Sequence, residues 1–188
     1  MHWRVGFAFV ILAAWAEPAD LVWTTLGAGS YVEAASIDLD FKLNRQWAVE
    51  LKPSAAFTLA SSAVPLSASA PGGMLKLTLM ADAPGGPGSV IETFSIEGVQ
   101  AGTPEMYTVN SVLHPRLDAW TEYWIVLEAA SGAHITWWSR PALSKNSSSN
   151  GIRQAFRDHN GPWSMIWTPN PPGVAIVGTR LPSAARVL

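Results

Sequence analysis

A segment rich in glycine and proline, residues 81–88, places the strongest constraint on how this chain can fold. It reads Ala-Asp-Ala-Pro-Gly-Gly-Pro-Gly, and apolar residues alternate on both sides of it: Leu75, Leu77 and Leu79 before, Phe94 and Ile96 after. An apolar period of two indicates strands with one buried face. Glycine allows positive φ, whereas proline fixes φ and removes a donor, so the chain must reverse here. The sequence therefore predicts an antiparallel strand pair.

Short alternating segments separated by turn residues recur along the rest of the chain. We expect strands at 37–41, 47–52, 63–68, 75–80, 91–96, 106–112, 122–129, 135–139, 151–156, 163–167 and 174–177. No window combines a helical apolar period with helix caps. Many short strands without helices predict an all-β fold, a two-sheet antiparallel β-sandwich that is jelly-roll-like and has little or no helix.

The segment 121–128 is apolar on both faces of the strand that it predicts. Tyr123, Ile125 and Leu127 share one face, and Trp124 and Val126 share the other. Such a strand fits the middle of a sandwich sheet whose outer face is covered by a loop or a second layer. The alternative is an exposed apolar face, which would mark a partner site.

The N-terminus has the three parts of an export signal. Arg4 precedes an apolar run, and Ala14-Trp15-Ala16 supplies a small-x-small cleavage site. The run is shorter than the roughly 20 residues of a membrane-spanning helix; a buried N-terminal strand is the alternative. We expect a signal peptide at residues 1–16, a single β-sandwich domain at 17–180 and a tail at 181–188. The mature protein would then be secreted or periplasmic, without a membrane span.

Charge and cysteine content narrow the classes of partner. The chain has 12 basic and 14 acidic residues, a net charge of −2 and no block of like charges. A nucleic-acid surface needs clustered Lys and Arg, so we expect no nucleic-acid partner. Without cysteine there are no disulfides, so a hydrophobic core must stabilise the exported domain.

Ten tryptophans in 188 residues are well above the usual frequency of this residue, and most lie late in the chain. Tryptophan suits strands and buries a large area, so packing explains most of them. An exposed indole would instead offer a stacking platform for a sugar ring. In Trp137-Trp138 one ring must point inward and the other outward. We expect the ligand-binding residues to be Trp138, Trp163 and Trp120.

The remaining polar residues supply no catalytic motif. Asp38, Asp40 and Asp82 are weak calcium candidates, although Asp82 more plausibly bonds the turn that it opens. The histidines lack zinc spacing, and no nucleophile elbow or phosphate loop is present. We therefore expect no enzyme activity and no cofactor, with calcium as a remote option.

Several blocks together resemble a known family of exported domains. They are Leu26-Gly27-Ala28-Gly29-Ser30-Tyr31, the strand around 48–51, Phe57-Thr58-Leu59, Leu77 to Asp82 with Pro84 to Gly88, Val90 to Phe94, Leu117 to Val126, and Gly161-Pro162-Trp163-Ser164. In this order they resemble the bacterial choice-of-anchor R β-sandwich domains, often found with a PEP-CTERM sorting tail. The resemblance implies an exported domain without assigned catalysis and transfers no site residues. Trp120 stands where such domains usually carry glycine, and the C-terminus lacks a Pro-Glu-Pro motif, so this copy is expected to be released or periplasmic.

Three functions stay open from the sequence. The first is a non-catalytic extracellular or cell-envelope adhesion or matrix-binding domain, with a polysaccharide or envelope protein as partner. The second is a lectin-like carbohydrate-binding module that uses exposed tryptophans. The third is a glycan-active hydrolase or lyase, which would need two carboxylates across a cleft.

Overall fold

The computed structural model describes residues 19–26, 35–39, 44–131, 134–139, 152–168 and 171–182. The expected signal peptide at 1–16, Asp40 and most of the expected tail lie outside the described residues. The described part of the chain contains no helix, and it therefore contains no helical segment of the length and hydropathy needed to span a membrane. It has thirteen strands. They are β1 (Asp20–Thr24), β2 (Ala35–Leu39), β3 (Arg45–Leu51), β4 (Phe57–Ala68), β5 (Gly73–Ala83), β6 (Gly86–Val99), β7 (Glu105–Asn110), β8 (Arg116–Leu117), β9 (Tyr123–Ser131), β10 (Ile135–Ser139), β11 (Ile152–Asp158), β12 (Ser164–Thr168) and β13 (Ala175–Arg180).

The described strands form two antiparallel sheets that pack face to face, so the predicted all-β sandwich is confirmed. Sheet A has the order β1-β13-β4-β10-β2. Strands β13 and β10 pair one after the other with the same edge of β4, and β7 and β8 pair with its opposite edge. Sheet B has the order β12-β11-β3-β9-β5-β6. Inward-facing aliphatic residues of both sheets form one core, in which Leu77, Ile125 and Leu66 are essentially inaccessible to solvent.

The predicted hairpin is confirmed, but its turn is tighter than the sequence suggested. β5 pairs with β6 up to Ala83 and Gly86, which leaves only Pro84 and Gly85 between the strands. Proline followed by a glycine at φ 94° matches the chemistry of a type II turn. Gly86 continues the ladder at φ 133°, and a Cβ there would lie 3.2 Å from the Cβ of Trp163. Gly86 therefore lets β6 pack closely against Trp163, and it belongs to the strand and not to the loop.

Other predicted boundaries needed correction because strand pairing extends past the local alternation. β4 begins at Phe57, well before the predicted 63, because it pairs with β13 and β8 over that stretch. β1 and the two-residue β8 were missed, since neither carries a long enough alternating pattern. Pro65 is tolerated inside β4 because one neighbour, β13, pairs up to Ala63 and the next, β10, begins at Leu66.

Candidate functional site

The outer face of sheet B carries three rows of side chains that cross its central strands. From β11 through β3 and β9 to β5 the rows are Arg157, Gln46, Glu128 and Lys76; then Ala155, Ala48, Val126 and Thr78; then Arg153, Glu50, Trp124 and Met80. The two charged rows lie about 13 Å apart, because four residues at a rise of about 3.3 Å separate them along β3. The middle row is apolar apart from Thr78.

The apolar middle of this face is covered by side chains from β12 and the residue before it. Trp163 and Met165 pack against the cluster that contains Trp124 and Val126, both of which are buried. The indole Nε1 of Trp124 donates to Asp82 Oδ1 at 2.7 Å. The covered-face interpretation of β9 is therefore confirmed, and the exposed-face alternative is wrong.

A cleft opens beside one charged row, where the β1 edge of sheet A meets the β12 edge of sheet B. Its volume is about 380 Å³. We call it the Trp cleft, and it is lined by Trp23, Glu50, Lys52, Glu122, Ile152, Arg153 and Trp167. Trp167 is 66 % exposed, whereas Trp23 is half-buried against the core. Two indoles thus face a cleft whose polar lining carries two positive and two negative charges.

Arg153 organises the polar lining of the Trp cleft. Its Nε donates to Glu50 Oε2 at 3.0 Å and its Nη2 to Glu50 Oε1 at 3.2 Å. Nη2 also donates to Glu122 Oε2 at 2.6 Å and lies 3.6 Å from Asp82 Oδ1. The guanidinium carbon lies 5.2 Å from the centre of the Trp124 ring. Arg153 is thereby surrounded by carboxylates, and the hydrogen bond to Glu50, more than any other contact, raises its pKa above the ordinary value.

Both carboxylates of the cleft are engaged by cations. Lys52 Nζ donates to Glu122 Oε1 at 3.0 Å, while Arg153 takes the other Glu122 oxygen and both Glu50 oxygens. The Lys52 hydrogen bond and, less strongly, the charge of Arg153 lower the pKa of Glu122 despite its partial burial. Glu122 is therefore ionised at neutral pH. A glycosidase acid needs the opposite, a carboxyl whose pKa is raised.

The other charged row borders a smaller groove of about 170 Å³. We call it the Arg157 groove, and its lining residues are Gln46, Lys76, Thr78, Met80, Val90, Thr93, Val126, Glu128 and Arg157. Arg157 Nε donates to Gln46 Oε1 at 2.6 Å, and Gln46 Nε2 donates to Glu128 Oε2 at 2.7 Å. The guanidinium carbon of Arg157 lies 4.4 Å from the centre of the Trp163 ring. One face of that indole is therefore occupied by a cation.

The three tryptophans predicted as ligand contacts lie at separate places. Trp138 is half-buried in β10, and its Nε1 donates to Ser67 Oγ at 2.9 Å, while Trp137 points into the core. Trp163 covers the outer face of sheet B. Trp120 lies in the turn before β9, 69 % exposed, at a φ of 60° that favours glycine. The structure does not bring these three rings together.

The weak calcium candidates are also separated. Asp38 lies on β2 of sheet A, where its Oδ1 accepts from Thr136 Oγ1 at 3.0 Å. Asp82 lies on β5 of sheet B and accepts from the Trp124 indole. Asp40 lies outside the described residues. Among the residues that the structure describes, no group of three or more His, Cys, Asp or Glu side chains could hold a metal ion.

Sequence reasoning missed the residues that line the Trp cleft. Trp23 lies on a strand that was not predicted, and Trp167 was counted among the late tryptophans without being singled out. A usable signal did exist for one charged residue, because Glu50 interrupts the otherwise apolar run from Trp47 to Leu51 in β3. A charge in such a strand is typical of a paired or functional group.

No protein-family model, no curated protein and no solved structure matches this chain. The function is therefore inferred from the geometry of the outer face of sheet B.

Proposed function

We propose that this protein is a non-catalytic glycan-binding domain whose ligand lies in the Trp cleft. The two tryptophans of the cleft carry this proposal. A sugar has apolar C–H faces and polar hydroxyl edges, and an indole offers the complementary broad apolar surface. Trp167 is exposed enough to accept a ring against its face, and Trp23 forms a second wall of the same cleft.

The charged residues of the cleft support hydroxyl recognition. Glu50, Glu122, Lys52 and Arg153 carry equal numbers of positive and negative charges, so the lining as a whole is neutral and admits both neutral and acidic sugars. Their donors and acceptors are held in place by mutual ion pairs. Fixed polar groups bind a ligand at lower entropic cost than mobile ones do.

The same ion pairs argue for binding over hydrolysis. Glycoside hydrolysis needs one protonated and one ionised carboxyl group across the bond. Glu122 has a lowered pKa, and both oxygens of Glu50 accept from Arg153. Glu122 is therefore not suited to donate a proton at neutral pH.

An exported setting completes the proposal. The export signal expected at residues 1–16 and the resemblance to choice-of-anchor R domains support a secreted or periplasmic protein. In that setting a glycan-binding sandwich would attach to extracellular or envelope polysaccharide. The adhesion and carbohydrate-binding functions expected from the sequence then describe one activity.

The experiment is a glycan array followed by calorimetric titration with the purified protein. Trp167→Ala should weaken binding of the best oligosaccharide by at least about tenfold, equivalent to about 1.4 kcal/mol. Trp120→Ala is the matched control, because its indole is equally exposed but lies outside the cleft. Its affinity should equal that of the wild type. Absence of any glycan binding at millimolar concentration, or equal losses in both variants, would contradict the proposal.

A further inference from the structure

Two arginines on the outer face of β11 have opposite electrostatic surroundings. Arg153 is within 3.6 Å of the carboxylates of Glu50, Glu122 and Asp82. Arg157 lies four residues further along the same face, and within the described part of the chain its partners are the neutral amide of Gln46 and the ring of Trp163. The charge of Arg153 is compensated by the protein. That of Arg157 is not.

The geometry of Arg157 leaves part of its guanidinium available to a ligand. Only Nε is used among the hydrogen bonds that the described residues make, so the Nη1 and Nη2 groups keep their N–H donors. The cation–π contact with the Trp163 ring, 4.4 Å from the guanidinium carbon, restrains the position of the guanidinium. A preorganised planar fork of this kind matches the two oxygens of a carboxylate.

The surroundings of Arg157 add a net positive charge. The charged residues lining the Arg157 groove are Arg157, Lys76 and Glu128, which sum to +1. Lys76 Nζ lies 3.6 Å from Glu128 Oε2, and half of the Lys76 side chain is exposed. The lining also contains apolar side chains, among them Met80 and Val126, and the hydroxyl groups of Thr78 and Thr93. A lining with a net positive charge and both apolar and hydroxyl groups suits the carboxylate and the ring of an acidic sugar.

We infer that the Arg157 groove binds the carboxylate of a uronic acid unit in the same glycan chain that occupies the Trp cleft. The inference rests on the proposed function and narrows its ligand to acidic polysaccharides. The two sites share one face of sheet B, and the rows that border them are about 13 Å apart along β3. An extended oligosaccharide of a few units can reach both.

The test uses a uronic acid hexasaccharide, the same hexasaccharide with its carboxyl groups reduced to alcohols, and a sulfated neutral hexasaccharide. The wild type should bind the carboxylated form at least about tenfold more tightly than the reduced form, and this preference should shrink as salt is added. Arg157→Gln should abolish the preference while affinity for the reduced form stays unchanged. Lys76→Gln, at an exposed position where folding is not at risk, should reduce the preference partly. Arg116→Gln, which removes an exposed arginine elsewhere, should leave it intact.

The outcomes separate the two proposals. Equal affinity for the carboxylated and reduced forms overturns the acidic-sugar inference but leaves the glycan-binding function standing. A preference that survives in Arg157→Gln overturns the assignment of the groove, and tighter binding of the sulfated form overturns the choice of a carboxylate. Binding of none of the three, with glycans also failing on the array, overturns both proposals together.

Discussion

The indole N–H groups of this protein show how one polar atom determines where a large apolar side chain can lie. The buried indole of Trp124 donates to Asp82, and that of Trp137 donates to the carbonyl of Gly173 at 2.9 Å. A buried donor left without an acceptor costs about 1–3 kcal/mol. These two rings are enclosed where an acceptor from a distant part of the chain meets the N–H, whereas the buried Nε1 of Trp47 has no hydrogen-bond partner among the described residues. Asp82 was expected to bond its own turn, and its partner is instead 42 residues away.

Ser62 provides a test of the same principle at a position without an acceptor. Its hydroxyl is fully buried in β4 and has no hydrogen-bond partner among the described residues. Ser62→Ala should raise the free energy of unfolding by about 1 kcal/mol, because the desolvated hydroxyl is removed. Urea denaturation monitored by tryptophan fluorescence measures this change.

Ser67 on the same strand is the matched control. It is also buried, but its Oγ accepts the indole N–H of Trp138. Ser67→Ala should lower the free energy of unfolding by about 1–3 kcal/mol. If both substitutions destabilise the protein equally, the hydroxyl of Ser62 does form a hydrogen bond, and the expectation for this position is wrong.

At the scale of the element, β9 shows what a central sandwich strand requires. Both of its faces are buried: one meets the core, and the other meets Met165, Trp163 and the guanidinium of Arg153. The alternation of residues along the strand was sufficient to predict that Tyr123, Ile125 and Leu127 share one face. The second layer over its outer face comes from β11 and β12, which follow later in the chain. Coverage of an outer face is thus a property of several elements together.

The register of β5 can be tested by placing a charge on its inner face. Leu77 has no solvent exposure, so Leu77→Asp should prevent folding. An unpaired buried charge costs several kcal/mol, comparable with the roughly 5–15 kcal/mol stability of a domain. Circular dichroism and thermal melting of the purified variant report the loss.

Ser95→Asp is the control for this substitution. Ser95 faces solvent on β6 opposite Lys76, so a carboxylate there remains hydrated. This variant should melt close to the wild type. A folded Leu77→Asp variant would mean that the register of β5 is wrong.

At the scale of the whole molecule, Glu92 ties one edge of the sandwich together. It lies buried on β6 of sheet B and accepts from Ser111 Oγ at 2.7 Å and from the amides of Val112 and Leu113 at 2.7 and 3.0 Å. These residues follow β7 of sheet A. Burial raises the pKa of Glu92, but the three hydrogen bonds and the nearby His114 together outweigh it and lower the pKa below its ordinary value of 4.5.

Acidification should therefore loosen the sandwich. A carboxyl whose pKa is lower in the folded state contributes stability that is complete above the unfolded value and is lost as the pH falls through the folded value. The melting temperature should decline between about pH 6 and about pH 3, with Glu122 and Asp158, whose pKa values are also lowered, contributing.

Glu92→Gln measures how much of this pH dependence comes from the ionisation of Glu92. The variant should melt lower at neutral pH and lose less stability on acidification than the wild type. Glu97→Gln, an exposed position on the same strand, is the control and should follow the wild-type curve. Parallel curves for Glu92→Gln and the wild type would contradict this role.

The sequence by itself determined the fold class, because local alternation and turn chemistry act over a few residues. The turn at Pro84 and Gly85 and the alternation of Leu75, Leu77 and Leu79 were sufficient to predict antiparallel sheets with a buried face. The opposite facing of Trp137 and Trp138 followed from the same period of two.

Only the tertiary structure decided where the candidate sites lie. Trp23 and Trp167 come from opposite ends of the described chain, yet they line one cleft because β1 and β12 are edge strands of the two packed sheets. Arg157 differs from Arg153 because strand pairing places one opposite Gln46 and the other beside Glu50. Cross-strand register and the packing of one sheet edge against another depend on contacts between distant residues, and no local pattern in the sequence encodes them.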